Sequence, residues 1–537
     1  MKKFLKKHIF LILLVALSIT EVMALFRSGF YGASDDLHVA WLFQMDKVVR
    51  AWQIPPRFVP DLSFGFGYPL FNFVFPLPFY IGELFHLTGF NFVDSIKIVF
   101  GISLIGSAIS MYFLLKEVIS KNLAFLGSLI YLYTPYRSTD VYVRGAIGES
   151  LSFVFLPIVI LSIIKKNTPI LAVSIAGLIL SHNIVSYMFF PFILIFVLLR
   201  FSWKSIWGIV LGLLISVYFW LPAIVDSKLM KYETVFNFAD HFPTLKQLIT
   251  PYFGYGASVA GPYDGMSFFI GLANLVVITG GIVFGLLNWK KISTLGKSVF
   301  FLGTVIFICS VFMMNFRSSF FWSNIPLLPY FQFPWRFLTT TTFASVLFLI
   351  PFDQVKNFRS SVLVAVTVIL VVALNFNYFK PHDFLGRTDS YYINRYIPSP
   401  SASPEYMQTQ EEYLRLPKDT ANRPTKVYPL LFGNRDFIYG IIKTDGIYSK
   451  ISLNLKSDET IYYSKYNFPG WVVKVDGREV EINSGKPFGQ ISIRVPKGQH
   501  ILEFEFRETR FKLVLDAISV IALLAVVWLM SVKTKKK

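Results

Sequence analysis

The sequence has little that could support sulfur chemistry and few charges for its length. Its 537 residues include one cysteine, Cys309, so neither an intrachain disulfide nor a cysteine-based metal site can form. Charged residues make up 15% of the chain, against about 25% in soluble domains. A hydrophobic content of 54% with so little charge excludes an ordinary soluble protein and predicts a membrane protein.

Several catalytic signatures are missing as well. No GxxxxGK[ST], GxSxG or HExxH pattern occurs in a suitable context. The sequence therefore does not predict ATP-driven transport by this chain alone.

The net charge of +19 has a membrane explanation. The basic residues cluster at both termini and between apolar runs, as expected for cytoplasmic segments of a membrane protein. We therefore expect no nucleic acid partner, a multi-pass plasma membrane protein, and cytoplasmic N- and C-termini.

Apolar runs predict about 12 transmembrane helices. The stretch 70–90, which contains Pro76, Pro78, Glu83 and His86, is predicted to be interfacial or re-entrant. The predicted spans are 8–26, 94–115, 122–134, 149–164, 168–181, 184–200, 206–225, 267–288, 298–314, 335–352, 360–379 and 511–530.

The predicted organisation is a transmembrane module over 1–380, a β-rich domain over 381–510, and a final span with a basic tail over 511–537. The first loop, residues 27–93, lies outside the membrane in this topology, as does the β domain. Alternating patterns and the turn Asp476–Gly477 predict an antiparallel sandwich, preceded by a linker over 398–417.

Two adjacent carboxylates, Asp35 and Asp36, follow the first span. Leu37, Trp41, Met45, Val48 and Trp52 then form one apolar stripe, which predicts a helix lying flat on the membrane surface. With Ser34 as its N-cap, both carboxylates would lie in the first turn, where negative charge is favourable. They are thus either ordinary helix-start residues or part of a catalytic site.

Other ionisable residues lie at the same predicted face of the membrane, where they are costly and need a reason. Arg144 and Glu149 form either a structural ion pair or part of a site. His182, followed by Asn183, is either a turn residue or a ligand-binding group. Trp335 and Arg336 are either interfacial anchors or a phosphate clamp.

The arrangement resembles the GT-C superfamily of integral-membrane glycosyltransferases, through its first span, acidic first loop, many further spans and C-terminal domain. Short stretches also resemble bacterial YfhO-like membrane proteins, a group labelled as related to 6-pyruvoyl-tetrahydropterin synthase. These stretches are Ser34–His38, Pro56–Asp61, Gly65–Asn72, Arg144–Glu149, Ser181–Asn183, Gln332–Phe337 and Phe468–Gly477.

The resemblance implies a glycosyltransferase that moves a sugar from a polyprenyl phosphate to an envelope glycan, lipid or protein. Asp35 or Asp36 would be the catalytic base, and a divalent metal, Mg²⁺ or Mn²⁺, on this pair is a candidate cofactor. The residues implied to bind donor phosphate or substrate are His38, Arg57, Asp61, Arg144, Glu149, His182, Asn183, Trp335 and Arg336. The alternative is a transporter, flippase or assembly factor for lipid-linked sugars, although paired broken helices in two repeated halves are not evident.

Overall fold

The computed structural model describes residues 2–231, 237–397 and 416–535. Most of it is helical, and the strands are confined to its C-terminal part. The helices are α1 (Lys2–Val22), α2 (His38–Arg50), α3 (Leu70–Phe73), α4 (Leu77–Leu87), α5 (Phe92–Leu115), α6 (Lys121–Leu132), α7 (Pro135–Ser138), α8 (Ile147–Ile164), α9 (Thr168–Ser181), α10 (Asn183–Leu199), α11 (Trp203–Ile215), α12 (Val217–Asp226), α13 (Leu245–Ile249), α14 (Leu272–Asn288), α15 (Thr294–Met313), α16 (Ser319–Asn324), α17 (Leu338–Leu347), α18 (Ser361–Asn375), α19 (Asp389–Tyr396) and α20 (Arg510–Lys535).

The long apolar helices confirm a membrane-embedded architecture. Within the described residues, 8 segments are long and apolar enough to cross a membrane. They include most or all of α1, α5, α8, α14, α15, α17, α18 and α20. A further candidate is the pair α11 and α12, bent by 63°, and the shorter apolar helices are α6, α9 and α10. Each predicted span thus corresponds to one helix or to the bent pair.

Helix boundaries follow from capping residues beside the apolar runs. The Asn91 side chain accepts the backbone N–H of Asp94 at 2.7 Å and starts α5, and Ser293 does the same for Gly296 before α15. The span around α17 is almost entirely buried, whereas those of α18 and α20 lie at the periphery. Residues at the start of the α17 span therefore lie deep among the other helices.

The prediction for the start of α2 is wrong. The helix begins at His38, the cap position is Leu37, and no side chain caps it, so Ser34, Asp35 and Asp36 precede the helix. The helix is also covered rather than flat on a surface, since even Gln44 is fully buried. Trp52 lies beyond its end, is 86% exposed and does not continue the apolar stripe.

The stretch 70–90 contains two short helices, α3 and α4. The 11 residues of α4 extend about 16 Å at 1.5 Å per residue, roughly half of a bilayer core. It packs against α2 and α5 instead.

The predicted antiparallel sandwich is confirmed. One sheet has the order β1-β4-β8-β7 and the other β2-β3-β9-β5-β6, with a shared apolar core between them. Asp476 and Gly477 form the predicted two-residue hairpin between β5 and β6. The strands are β1 (Leu431–Phe432), β2 (Ile438–Thr444), β3 (Tyr448–Leu455), β4 (Glu459–Tyr466), β5 (Trp471–Val475), β6 (Arg478–Val480), β7 (Asn483–Gly485), β8 (Gln490–Val495) and β9 (Gly498–Phe506).

The sandwich packs directly on the first loop. The buried Lys465 ammonium donates to the carbonyl oxygens of Pro60 and Gly65, and the Phe58 ring lies edge-on against Trp471. The first loop and the sandwich therefore lie on the same side of the helices.

Residues 381–397 belong structurally with the helices rather than with the sandwich. The Asp389 carboxylate accepts the backbone N–H groups of Phe92 and Val93 at 2.9 and 2.8 Å, which caps α5. Most of the predicted linker, residues 398–415, lies outside the described residues.

Candidate active site

The Arg144–Glu149 stretch forms the centre of a buried charge cluster. A π-helical turn, Thr139–Arg144, is followed by Gly145 and by α8, which carries Glu149 in its first turn. Arg144 Nη1 donates to Glu149 Oε2 and to Asp140 Oδ1, both at 2.7 Å. The ion pair between Arg144 and Glu149, one of the two interpretations from sequence, is thus present, and Asp140 is a second partner of Arg144.

Two glycines in this stretch let other segments approach it closely. A Cβ on Gly145 would lie 3.0 Å from Ala33 Cβ, and a Cβ on Gly148 would lie 2.5 Å from the Ser181 carbonyl oxygen. Gly145 also has a φ of +74°, which side chains rarely adopt. The first loop and the Ser181–Asn183 turn can therefore meet at Arg144 and Glu149.

Backbone hydrogen bonds fix the acidic pair against the π-helical turn. Ser34 N donates to Val143 O at 3.0 Å and Asp35 N to Arg144 O at 2.7 Å. Asp35 is close enough to Arg144 and Arg336 for their charges to interact. This pairing carries Asp35 into the cluster across more than a hundred residues of sequence.

The two carboxylates of the pair are in different environments. Asp36 is buried, accepts a hydrogen bond from the Tyr396 hydroxyl, and lies 4.0 Å from the Nε of Arg395. Burial raises the pKa of Asp36, although Tyr396 and the charge of Arg395 oppose this shift. Asp35 is half-buried, and its carboxylate makes no hydrogen bond or ion pair with the residues that the structure describes.

Arg336 enters from the beginning of the buried α17 span. Its Nη1 donates to Phe331 O at 2.7 Å, while its Nε is buried without a hydrogen-bond partner among the described residues. No carboxylate in the described part of the chain forms an ion pair with it, in contrast to Arg144. Unused donors therefore remain on a guanidinium group beside a second arginine.

Trp335 is not an interfacial anchor, so that interpretation is wrong. Its ring is buried, stacks on Phe333 at 4.9 Å, and lies 4.7 Å beneath the Arg144 guanidinium carbon. Its Nε1 donates to Ser258 Oγ at 3.1 Å. The indole therefore packs against the Arg144 guanidinium group.

His182 is the member of the cluster that lies in the turn between α9 and α10. Its Nδ1 accepts the backbone N–H of Val185 at 3.2 Å, which caps α10, and its ring stacks on Phe75. Burial lowers the pKa of His182 to about 3. The ring is therefore neutral at physiological pH, with its proton on Nε2. The neighbouring Asn183 is exposed, and its side chain accepts only the Ile184 N–H among described residues.

His38 lies beside the cluster at the first position of α2. Its Nε2 is 3.0 Å from Gly145 O, while its Nδ1 is buried without a partner in the described residues. Burial lowers its pKa, so a neutral ring that donates from Nε2 to this carbonyl fits the geometry.

Two residues of the predicted set lie elsewhere. Arg57 is held by two carboxylates. Glu508, just before α20, lies at 2.9 Å, and Asp516, within α20, lies at 2.8 Å. Asp61 accepts from Lys47 at 2.7 Å. Neither joins Arg144 and Arg336, because tertiary contacts with the final helix and α2 hold them in the first loop.

The cluster includes residues that sequence reasoning did not select. Glu149 Oε1 accepts from the Tyr136 hydroxyl at 2.6 Å and from the Thr339 hydroxyl. Thr339 lies three residues after Arg336, so helical spacing could have indicated it. No sequence signal indicates Tyr396 as the partner of Asp36.

The acidic pair does not fit a shared divalent cation. Asp36 is already engaged by Tyr396 and Arg395, which leaves Asp35 as the accessible carboxylate. Among the described residues, no three His, Cys, Asp or Glu side chains are grouped as metal ligands.

Comparison with known proteins gives distant likenesses. No family model matches the chain. An uncharacterized protein of Lactococcus lactis subsp. cremoris (strain MG1363) is 23% identical over 202 residues, which are 35% of this chain and 33% of that protein. The cryo-EM structure of the mycobacterial arabinofuranosyltransferase AftD is similar with a TM-score of 0.44 and 14% identity, over 70% of this chain and 27% of AftD.

The chain thus spans about a third of the curated relative and about a quarter of AftD. At these identities and this score, neither likeness assigns an activity to the chain.

Proposed function

We propose that the chain is a membrane glycosyltransferase that moves a sugar from a polyprenyl-phosphate donor to an envelope glycan, lipid or protein. The observation that carries the proposal is the Asp35 carboxylate, which has no hydrogen bond or ion pair among the described residues and whose charge interacts with those of Arg144 and Arg336. Within the same residues, Arg336 keeps a buried Nε without a partner and Arg144 uses only its Nη1. An enzyme of this class needs a base for the acceptor and cations for the departing lipid phosphate.

The two arginines suit the donor phosphate. Arg144 uses a single nitrogen, Nη1, for its contacts with Asp140, Glu149 and Tyr136. Two neighbouring guanidinium groups repel each other, and a bound phosphate would relieve that repulsion while accepting hydrogen bonds from both.

Asp35 suits the acceptor. Its carboxylate takes the proton of an acceptor hydroxyl as that oxygen attacks the anomeric carbon. The bond from this carbon to the phosphate oxygen breaks, and the electron pair leaves with the polyprenyl phosphate, beside Arg144 and Arg336. A single displacement inverts the anomeric centre, and the proton later leaves Asp35 to solvent.

The remaining residues hold the machinery in place. Glu149, with Tyr136 and Thr339, fixes Arg144 Nη1, and the Trp335 ring fixes the plane of the guanidinium group. His182 adds a neutral donor near Glu149. We place this site, the first loop and the sandwich on the extracytoplasmic side, because Lys-rich termini favour the cytoplasm.

The test compares Asp35→Asn with Asp36→Asn in full-length protein reconstituted in liposomes. Wild-type protein is supplied with a panel of radiolabelled polyprenyl-phosphate sugars, and sugar transfer and release of polyprenyl phosphate are measured. We expect Asp35→Asn to lower turnover about 10²–10⁴-fold, as for loss of a general base.

Asp36→Asn is the matched control. An asparagine oxygen at position 36 can still accept the Tyr396 hydroxyl, and burial already disfavours the charged form there. Turnover should stay near wild type. Full turnover in Asp35→Asn would rule out Asp35 as base, and movement of intact donor across the bilayer without transfer would indicate a flippase.

A further inference from the structure

A cavity lies between the first loop and the sandwich. It has a volume of about 340 Å³ and is lined by residues 51–54 on one side and by 445, 447–448 and 505–508 on the other. This volume is within the range of small-molecule sites, which favour boundaries between domains. The 13 residues of α2 separate it from His38 by about 20 Å, at 1.5 Å per residue.

Two residues that line this cavity each have a buried polar atom without a hydrogen-bond partner in the described part of the chain. Gln53 is buried, and its Oε1 accepts the backbone N–H groups of Arg57 and Phe58. Its Nε2 has no hydrogen-bond partner among the described residues, and the same holds for Oε2 of Glu508. A buried amide with one satisfied end and one unused donor is costly unless a ligand completes it.

Aromatic residues also line this cavity. Trp52 is 86% exposed and has a φ of +62°, a backbone conformation that is unfavourable for a tryptophan. Tyr448 also lines the cavity. An outward-facing indole beside hydrogen-bonding groups suits a ligand with both an apolar face and hydroxyl groups.

The charge of the cavity excludes a phosphate ligand. Asp445, Glu505 and Glu508 line it, and its Arg507 is already paired with Glu505. The cavity is thus lined mainly by acidic charged groups, whereas the Arg144–Arg336 cluster carries two arginines. Carboxylates, an amide and an aromatic face together fit a neutral polyhydroxylated ring.

We propose that this cavity binds a saccharide unit of the acceptor, about 20 Å along α2 from His38, which lies beside the reacting centre. The choice of a saccharide as acceptor rests on the proposed function. An extended acceptor glycan would then be held at one end by the cavity while its other end reaches Asp35. The sandwich contributes part of the cavity wall and so takes part in acceptor recognition.

The test measures binding of soluble tetrasaccharides of glucose, mannose, galactose and N-acetylglucosamine to the full chain in nanodiscs by ligand-observed NMR. We expect at least one to bind, and Trp52→Ala to weaken its affinity about tenfold or more, since aromatic anchors dominate such contacts. Gln53→Glu keeps the acceptor oxygen for Arg57 and Phe58 but removes the donor that has no partner among the described residues, so it should weaken binding.

Trp203→Ala is the matched control, because Trp203 is an exposed tryptophan on α11 outside the cavity. It should bind like wild type. Binding of none of the four sugars, unchanged binding in Trp52→Ala, or Trp52-dependent binding of choline alone would each overturn the proposal.

Asp35→Asn separates this inference from the proposed function. It should bind the tetrasaccharide like wild type while losing transfer. If transfer depends on Asp35 but no saccharide binds, the inference about the cavity fails and the transferase proposal remains. If a saccharide binds through Trp52 but Asp35→Asn transfers normally, the assignment of the base fails instead.

Discussion

Arg57 and Arg336 have similar sequence contexts but differ in their partners. Arg57 is 1% exposed, and its Nε, Nη1 and Nη2 donate to Glu508, Tyr218 O and Asp516. Arg336 donates through Nη1 to one carbonyl and keeps a buried Nε without a partner in the described chain. A saturated guanidinium group is a structural tie, whereas one with unused donors is suited to a ligand.

Removing Arg57 should have the strongest consequence of all, and it should fall on stability. Arg57→Gln should lower the free energy of unfolding by about 3–5 kcal/mol, because it leaves two carboxylates without their cation in a largely buried setting. The measurement is the melting temperature of the purified full chain. The double variant Arg57→Gln/Asp516→Asn should lose less than the sum of the single variants.

An unchanged melting temperature combined with lost sugar transfer would contradict a structural role for Arg57. Arg57 would then belong to the reacting site rather than to the tie between the first loop and α20.

The next effect is on catalysis. Arg336→Gln should lower turnover about 10²–10³-fold, as for loss of one donor to a developing negative charge. The melting temperature should change little, because Arg336 has no ion-pair partner among the described residues. Initial rates with a saturating donor give this value.

Arg336→Lys and Arg317→Gln sharpen the same result. The lysine variant keeps the charge but loses the planar fork, so its turnover should lie between wild type and Arg336→Gln. Arg317 is exposed, and its variant should behave like wild type. Equal losses in Arg317→Gln and Arg336→Gln would show a general charge effect instead.

The smallest effect concerns the contact between the sandwich and the first loop. Burial lowers the pKa of Lys465 to about 8, whereas an unfolded lysine titrates near about 10.4. Between these values the unfolded chain binds more protons, so stability should rise with pH, by at most about 1.4 kcal/mol per pH unit.

Lys465→Met should remove this rise. Melting temperatures of wild type and variant are compared from pH 7.5 to 10.5, and their difference cancels groups that titrate in both. A parallel pair of curves would contradict the assignment of the slope to Lys465.

The fold was largely predictable because its signals are local. Apolar runs of membrane length, the alternation in the β domain and the Asp476–Gly477 turn each depend on neighbouring residues, and each corresponds to an observed element. The start of α2 was predicted wrongly, because backbone pairing of residues 34 and 35 with 143 and 144 competes with helix formation there.

The site was only partly predictable. Residues predicted at one face of the membrane, including Asp35, Arg144, Glu149, His182 and Arg336, do lie together, while their roles stay predictions. Sequence could not separate Asp35 from Asp36, since Tyr396 decides between them from 360 positions away.

Local sequence features predict a membrane-embedded helical chain with a C-terminal antiparallel domain, because hydrophobic length and periodicity are properties of short segments. Three features became evident only from the fold. Arg57 is the saturated arginine, Asp35 is the accessible carboxylate, and the sandwich contacts the first loop through Lys465. Those outcomes depend on partners distant in sequence, and the close approaches permitted by Gly145 and Gly148 bring them together.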